Sequence, residues 1–273
     1  CEEPSFIGSL NTFRSYNAHL VGIPLEEDGL DIAALEKALK DNPDTKFIYV
    51  IPNFQNPTGI TMSLEKRKAV YALAKKYGTL ILEDNPYGDL RFAGEKLPAI
   101  KSMDTDGIVF YAGTFSKILS PGIRVGYLIA PKDAMGKLVV AKQCTDVHTS
   151  MLGQTLCHRF ITEYDVDAHI ESLKETYEHK CNLMLNEMKK HLPDTMTWTK
   201  PTGGLFIWAT LPQGVDSADF AMRLIQEKKV CIVPGSAFNV ADPDAVSHSA
   251  RFNFSTPTDD NIVKAITAVG EMF

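Results

Sequence analysis

No two cysteines stand at Cys-x-x-Cys spacing in this chain, and no cluster of cysteines and histidines makes a metal-ligand set. The five cysteines, Cys1, Cys144, Cys157, Cys181 and Cys231, are odd in number and far apart, so neither a disulfide framework nor a zinc module is written into their spacing. They read as reduced, mostly buried thiols, and no metal is expected. Long apolar runs are missing too: nothing approaches the ~18 to 20 residues needed to span a bilayer, and no charged segment followed by an apolar one marks a signal peptide at the N-terminus. A cytoplasmic protein without membrane contact is the expectation. Positive charge is in deficit, with 28 Lys and Arg against 34 Asp and Glu for a net charge of −6, and no basic run departs from that average. This argues against binding nucleic acid through a broad basic face, and no nucleic-acid partner is expected. The glycines form neither G-x-G-x-x-G nor a Walker loop, so nucleotide binding has no support.

What is present is ordinary in bulk: 44% hydrophobic and 23% charged residues over 273 positions, enough for a large domain and a small one. In the first half, short β-branched or aromatic runs alternate with helical segments: "KFIYVIP" at 46–52, a helix over 64–77 with Ser63 as cap, "LILED" at 80–84, "GIVFYA" at 107–112 and "RVGYLIA" at 124–130. Alternation of this kind predicts parallel strands with crossover helices, and the apolar strands predict a sheet covered on both faces. From about 147 to 190 one long helix is expected, with Ile170, Leu173, Tyr177, Cys181, Met184 and Met188 on its apolar face, linking two domains. The last third reads as α+β: strands within 196–200, 203–211, 230–235 and 250–255, a helix over 217–228, and a final helix opened by Thr258. The expected fold is α/β, a mostly parallel sheet with helices on both faces over residues 1–165, followed by a linker helix and a smaller C-terminal α+β domain over 166–273.

Three polar clusters interrupt the apolar strands where each strand should end: "NFQNPTG" at 53–59, "EDNPYGDL" at 83–90 and "GTFSK" at 113–117. Singly, each is turn chemistry, a loop carboxylate or a solvated lysine. Together they converge on the strand C-terminal rim, where the active sites of open α/β sheets lie. An amine able to form a Schiff base, a carboxylate, an amide, a phenol and a hydroxyl/arginine anion site suit pyridoxal 5'-phosphate. That cofactor needs a lysine for its aldehyde, a carboxylate at its ring nitrogen, and a grip on its phosphate. A Ser-x-x-Lys at 63–66 lacks the Ser-Asp-Asn and Lys-Thr-Gly partners of β-lactamases and reads as a helix start. Gly203 and Gly204 are expected to permit a close backbone approach near the substrate pocket.

In their order, "EEPSF", "NPTG", "DNPY", Ser-Lys with a following arginine, "PTGGLFIW" and "RFNFS" resemble the fold type I, class I/II aminotransferases, nearest to the 2-aminoadipate/kynurenine group, over essentially the whole chain. The resemblance implies that Lys117 is the Schiff-base lysine and proton shuttle, that Asp84 pairs with the cofactor's ring nitrogen, and that Asn56 and Tyr87 hydrogen-bond its phenolic oxygen. It also implies that Thr114, Ser116 and Arg124 hold the phosphate and that Arg251 clamps the substrate α-carboxylate as a bidentate fork, with Asn56 beside it. The implied activity is transfer of an amino group from an aromatic, branched-chain or 2-aminoadipate-like amino acid to 2-oxoglutarate by a ping-pong cycle, in a homodimer. Two alternatives use the same motifs: the effector domain of a DNA-binding regulator, and a β-eliminating lyase. Family members carry a further N-terminal segment with a phosphate-binding helix N-terminus. The expectation is therefore a fragment of a longer polypeptide, or one of two chains, that alone binds the cofactor weakly.

Overall fold

The computed structural model describes all 273 residues. Near the N-terminus β1 (Glu2–Glu3) is followed by α1 (Ile7–Ser15); β1 pairs in parallel with β2 (Ile23–Glu26), which turns back on β3 (Gly29–Leu30). α2 (Ile32–Asp41) starts at Asp31, whose carboxylate accepts from the Ala34 N–H at 3.0 Å.

The central sheet then forms in chain order from β4 (Phe47–Val50), β5 (Leu80–Asp84), β6 (Val109–Thr114) and β7 (Gly126–Ile129). α3 (Leu64–Tyr77) crosses between β4 and β5 over the predicted residues. Ser63 caps it by accepting from the Lys66 N–H at 3.3 Å, and Gly78 ends it in the left-handed region at φ +65°, which a residue without a Cβ adopts at no cost. Lys66 itself is ion-paired to Glu26 and Asp28, as a helix-start lysine and not a catalytic one. β4, β5 and β6 are parallel, with Tyr49 opposite Leu82 and Asp84 opposite Ala112. β7 departs from the parallel expectation: it runs antiparallel to β6, Thr114 opposite Gly126. The link 115–125 contains only a short 3₁₀ turn at Pro121–Ile123, and a chain that returns without a crossover helix can pair only in the opposite direction. Contrary to the two-face cover predicted for the strands, β7 is exposed along its length, and α4 (Lys132–Asp146) has no buried residue.

The single helix predicted over 147–190 is two, α5 (Met151–Glu163) and α6 (Val166–His191). The break has a local cause: Tyr164 is extended, and Asp165 caps a new helix by accepting from the Ala168 N–H at 2.9 Å. α6 packs Cys181, Met184 and Met188 into a core shared with the second sheet, and Leu173 and Tyr177 against a smaller cluster at Tyr49, Phe54, Tyr87 and Phe206. That sheet comprises β8 (Thr197–Trp198), β9 (Phe206–Thr210), β10 (Val233–Pro234) and β11 (Ser249–Asn253), antiparallel in the order β10-β11-β9-β8. α7 (Ser217–Lys228) and α8 (Asp259–Gly270) complete it, the latter capped by Thr258 as predicted. The thiols need correcting: Cys157 and Cys181 are buried, Cys1 is partly so, and Cys144 and Cys231 are exposed. Cys144 lies on α4, which buries nothing.

Candidate active site

The loop after β4 is held from below. Arg67, on α3, is fully buried and donates from Nε to the Met62 carbonyl at 3.0 Å, from Nη1 to Pro98 at 2.9 Å, and from Nη2 to Pro52 at 2.9 Å and to Asn53 Oδ1 at 2.8 Å. Burial lowers the guanidinium to about 10, so it stays charged at neutral pH. Only a planar fork with five donors serves four acceptors in this way. Nothing in "LEKRKAVY" separates this arginine from the surface cations around it, and sequence reasoning missed it. Gln55 closes the turn: its Oε1 accepts from the Thr58 N–H at 3.0 Å and the Thr58 hydroxyl at 2.7 Å, and its Nε2 donates to the Pro4 carbonyl at 2.8 Å and to Glu2 Oε2 at 3.3 Å. Phe54, in the left-handed region at φ +49°, lies under Gly203 and Gly204. A Cβ on Gly204, itself at φ +73°, would meet Phe54 Cβ at 2.5 Å; the close approach predicted for these glycines is there, against Phe54.

Glu2, on β1, is a second buried charge-bearing group bonded to this loop, accepting also from the Ile51 N–H at 3.1 Å. Burial pushes its carboxyl up to about 8, against an ordinary value of 4.5. Between those values the folded chain holds a proton that the unfolded chain has lost, so stability falls as pH rises through that interval. Urea midpoints should therefore drop from about pH 5 to about pH 8, and Glu2→Gln should flatten the drop; an unchanged slope in the variant would assign the pH dependence elsewhere.

At the end of β5, Asp84 accepts from the Tyr49 hydroxyl through Oδ2 at 2.7 Å, and no protein group donates to Oδ1. Burial pushes this carboxyl up, and the Tyr49 hydrogen bond pulls it down. Asn85 accepts from Asn53 Nδ2 at 2.9 Å and donates to the Tyr111 hydroxyl at 2.8 Å, which ties the Arg67 clamp to the strand that presents Asp84. Tyr87 is buried, edge-on to Phe206 at 5.8 Å, with its hydroxyl 3.4 Å from Asn56 Nδ2. Desolvation raises its phenol above the ordinary range.

Past β6, Thr114 Oγ1 donates to Ser116 Oγ at 3.0 Å and accepts from the Ser116 N–H at 3.0 Å. Arg124 stands exposed on the rim, in the left-handed region, with Nη1 donating to the Pro121 carbonyl at 3.1 Å. Lys117 is half-buried and its amine has no hydrogen-bond or ion-pair partner. Burial lowers its pKa first, and repulsion from Arg124 and Arg251 lowers it further. Arg251 reaches the rim from β11, opposite Trp208, with its guanidinium carbon 4.2 Å from the Phe206 ring centre and 5.1 Å from that of Phe238. Its Nη1 donates to Asn56 Oδ1 at 2.8 Å, while its buried Nε has no partner. Asn56, Tyr87 and Arg251 thus form one bonded group, although Asn56 and Arg251 are 195 positions apart.

This donor set fits pyridoxal phosphate. It offers a carboxylate with one oxygen free, an amine with depressed basicity and no partner, a buried phenol–amide pair, two mutually bonded hydroxyls, one of them also donating to the carbonyl of Val125 next to Arg124, and an unpartnered buried guanidinium N–H. A cavity of about 580 Å³ lined by residues of α7, α8 and β11 contains none of these residues.

Residues 2–269 match the family model described as aminotransferase class I and II. The aromatic-amino-acid aminotransferase 1 of Thermococcus litoralis is 39% identical over 99% of this chain, and the chain spans 65% of that relative's length. An uncharacterized HTH-type transcriptional regulator of Bacillus subtilis is 30% identical over 99% of the chain and 54% of its own length. The crystal structure of Pyrococcus horikoshii kynurenine aminotransferase in complex with PMP superposes with a TM-score of 0.94 at 37% identity, over 99% of this chain and 67% of that one. With the family model covering nearly every residue and a relative of that length at 39% identity, the chain belongs to the aminotransferase class I and II family.

Proposed function

We propose that this chain carries the cofactor and substrate groups of a pyridoxal-phosphate-dependent aminotransferase that moves an amino group from an amino acid to a 2-oxo acid such as 2-oxoglutarate. Pyridoxal phosphate, when bound, supplies an aldehyde carbon for covalent attachment and a protonated ring that draws electrons from the substrate Cα. Lys117 would hold that group covalently, and its amine would move the proton at the substrate Cα. Its depressed basicity favours the neutral amine that both tasks require. Asp84 keeps the ring nitrogen protonated, and Asn56 and Tyr87 hydrogen-bond the ring oxygen. Thr114, Ser116 and Arg124 take the phosphate. Arg251 takes the substrate carboxylate, for which its unpartnered Nε is a ready donor.

The observation that carries this reading is Lys117: a half-buried amine without a partner, its basicity lowered by burial and then by the charges of Arg124 and Arg251, on the same rim as a carboxylate with a free oxygen. The test is to incubate the full-length protein with pyridoxal phosphate, reduce with borohydride and map peptides. The pyridoxyl adduct is expected on Lys117, and recovery on other lysines alone would overturn the assignment. Turnover that requires a 2-oxo acid separates transfer from elimination.

The relatives' names support an aromatic, kynurenine or 2-aminoadipate donor among the aromatic, branched-chain and 2-aminoadipate-like ones expected. The domain division at 165/166, a cytoplasmic location and a homodimer belong to the same proposal. The exposed apolar side chains Leu128, Ile129, Val139, Val140 and Leu152 on β7, α4 and α5 support a covered face in the intact protein. No helix is long and apolar enough to cross a membrane. The regulator reading is favoured by relatives named HTH-type transcriptional regulators in Bacillus subtilis and Staphylococcus aureus. A DNA-binding effector has no need of a carboxylate clamp, and Arg251 bonded to Asn56 supports the enzyme.

A further inference from the structure

The reading above leaves Tyr49 without a task. It lies on β4 opposite Leu82, two residues before Asp84 on β5, so its ring and the Asp84 carboxylate share one face of the central sheet. The ring is 2% exposed, edge-on to Phe13 of α1 at 5.3 Å, and so held in place by packing. Its hydroxyl donates to Asp84 Oδ2 at 2.7 Å and accepts from Ser9 Oγ, on α1, at 2.9 Å. The chain Ser9–Tyr49–Asp84 stops there, because Oδ1 has no protein donor. The contact also borders a cavity of about 410 Å³ lined by Ser9, Tyr49, Asp84 and Ala112, so it faces space a ligand can enter and is more than a core contact.

A carboxylate in such surroundings has two ways to fail as a partner for a protonated ring nitrogen. It can take up a proton, which burial favours, or it can rotate so that neither oxygen is held toward the ligand. A hydrogen bond donated to one oxygen opposes both, since it favours the ionised form and marks the other oxygen as the free acceptor. Tyr49 is suited to remain the donor: burial and the neighbouring Asp84 charge push its phenol well above the ordinary range.

We propose that Ser9 and Tyr49 form a relay that holds Asp84 ionised, with Oδ2 occupied and Oδ1 reserved for the cofactor's ring nitrogen, which makes Tyr49 a positioning residue for that contact. This rests on the reading of Asp84 as the ring-nitrogen partner. The relay acts through the ring nitrogen alone, and that gives it a signature that general damage to the site does not have.

The experiment measures equilibrium binding of two probes to the full-length protein: pyridoxal phosphate, and its 1-deaza analogue, in which a C–H replaces the ring nitrogen. The proteins are wild type, Tyr49→Phe, which deletes only the hydroxyl, and Ser9→Ala. Tyr49→Phe should bind pyridoxal phosphate about tenfold more weakly, about 1.4 kcal/mol, with binding of the deaza analogue unchanged within about twofold. Ser9→Ala, a milder change farther from the site, should lose about threefold, again for pyridoxal phosphate only, and keeps the test open if Tyr49→Phe folds poorly. Equal losses for both probes would make Tyr49 a packing residue and overturn the proposal, as would no loss for either. A wild type that binds the two probes alike would instead overturn the role of Asp84, and the relay with it.

Discussion

Lys117→Ala in the full-length protein is expected to lose amino transfer by roughly 10⁴-fold, the upper end of what a positioned proton-transfer group contributes, because on the proposed reading the one amine both holds the cofactor covalently and moves the Cα proton. Single-turnover rates with saturating cofactor and a good donor are the measurement, and a rate within about tenfold of wild type would refute the assignment. The variant also separates chemistry from folding. Lys117 is half-buried, and its pKa is depressed by burial first and by the charges of Arg124 and Arg251 second. Its ammonium form is therefore disfavoured in the folded chain, and removing it should leave the thermal midpoint of the cofactor-free protein unchanged or raised. Activity lost with stability retained is the pattern of a reacting group. Lys117→Arg should be equally inactive, since it restores the charge without a nucleophilic amine.

Asp84→Ala is expected to slow Cα deprotonation by roughly 10³-fold, about what removal of one well-placed electrostatic group costs, while the covalent adduct to Lys117 still forms. The asymmetry follows from the proposed positions: attachment of the aldehyde requires only the amine, whereas delocalising the Cα charge requires the ring nitrogen to stay protonated, the task proposed for the carboxylate. The substitution also leaves the Tyr49 hydroxyl without its acceptor at 2.7 Å. A stability loss of about 1–3 kcal/mol should accompany it, so rates must be compared on folded, cofactor-saturated protein. Borohydride trapping at Lys117 at wild-type level, together with a slow half-reaction, is the expected pair of results. A half-reaction within about tenfold of wild type would refute the role of Asp84.

Much of the molecule was legible before any coordinates, wherever the signal is local. α3 over 64–77, β5 over 80–84 and α7 over 217–228 lie where their caps, apolar runs and turn residues put them. A serine or aspartate that caps, or a glycine that ends a helix, acts on backbone a few residues away, so its effect can be read from the string itself. The three polar clusters were legible for the same reason, since a polar break after an apolar strand marks the rim of an α/β sheet whatever follows it. The direction of β7, the break at Tyr164–Asp165 and the exposure of α4 were not legible in this way. The first depends on a return path without a helix, and the second on a cap inside a segment whose apolar period continues through it. The third depends on what the rest of the fold leaves uncovered. The working parts of the site behave likewise. A phenol in "KFIYVIP" becomes the donor to Asp84, an arginine in "LEKRKAVY" clamps the loop that carries Asn56, and Arg251 meets Asn56 across 195 positions. The sequence by itself determined which chemistry-bearing residues stand at the strand ends, because that depends on neighbours along the chain. Only the tertiary structure decided which atoms they spend on one another and which, such as Asp84 Oδ1, Lys117 Nζ and Arg251 Nε, are left free for a ligand, because hydrogen bonds form between groups that packing brings within about 3 Å, however far apart they lie in the chain.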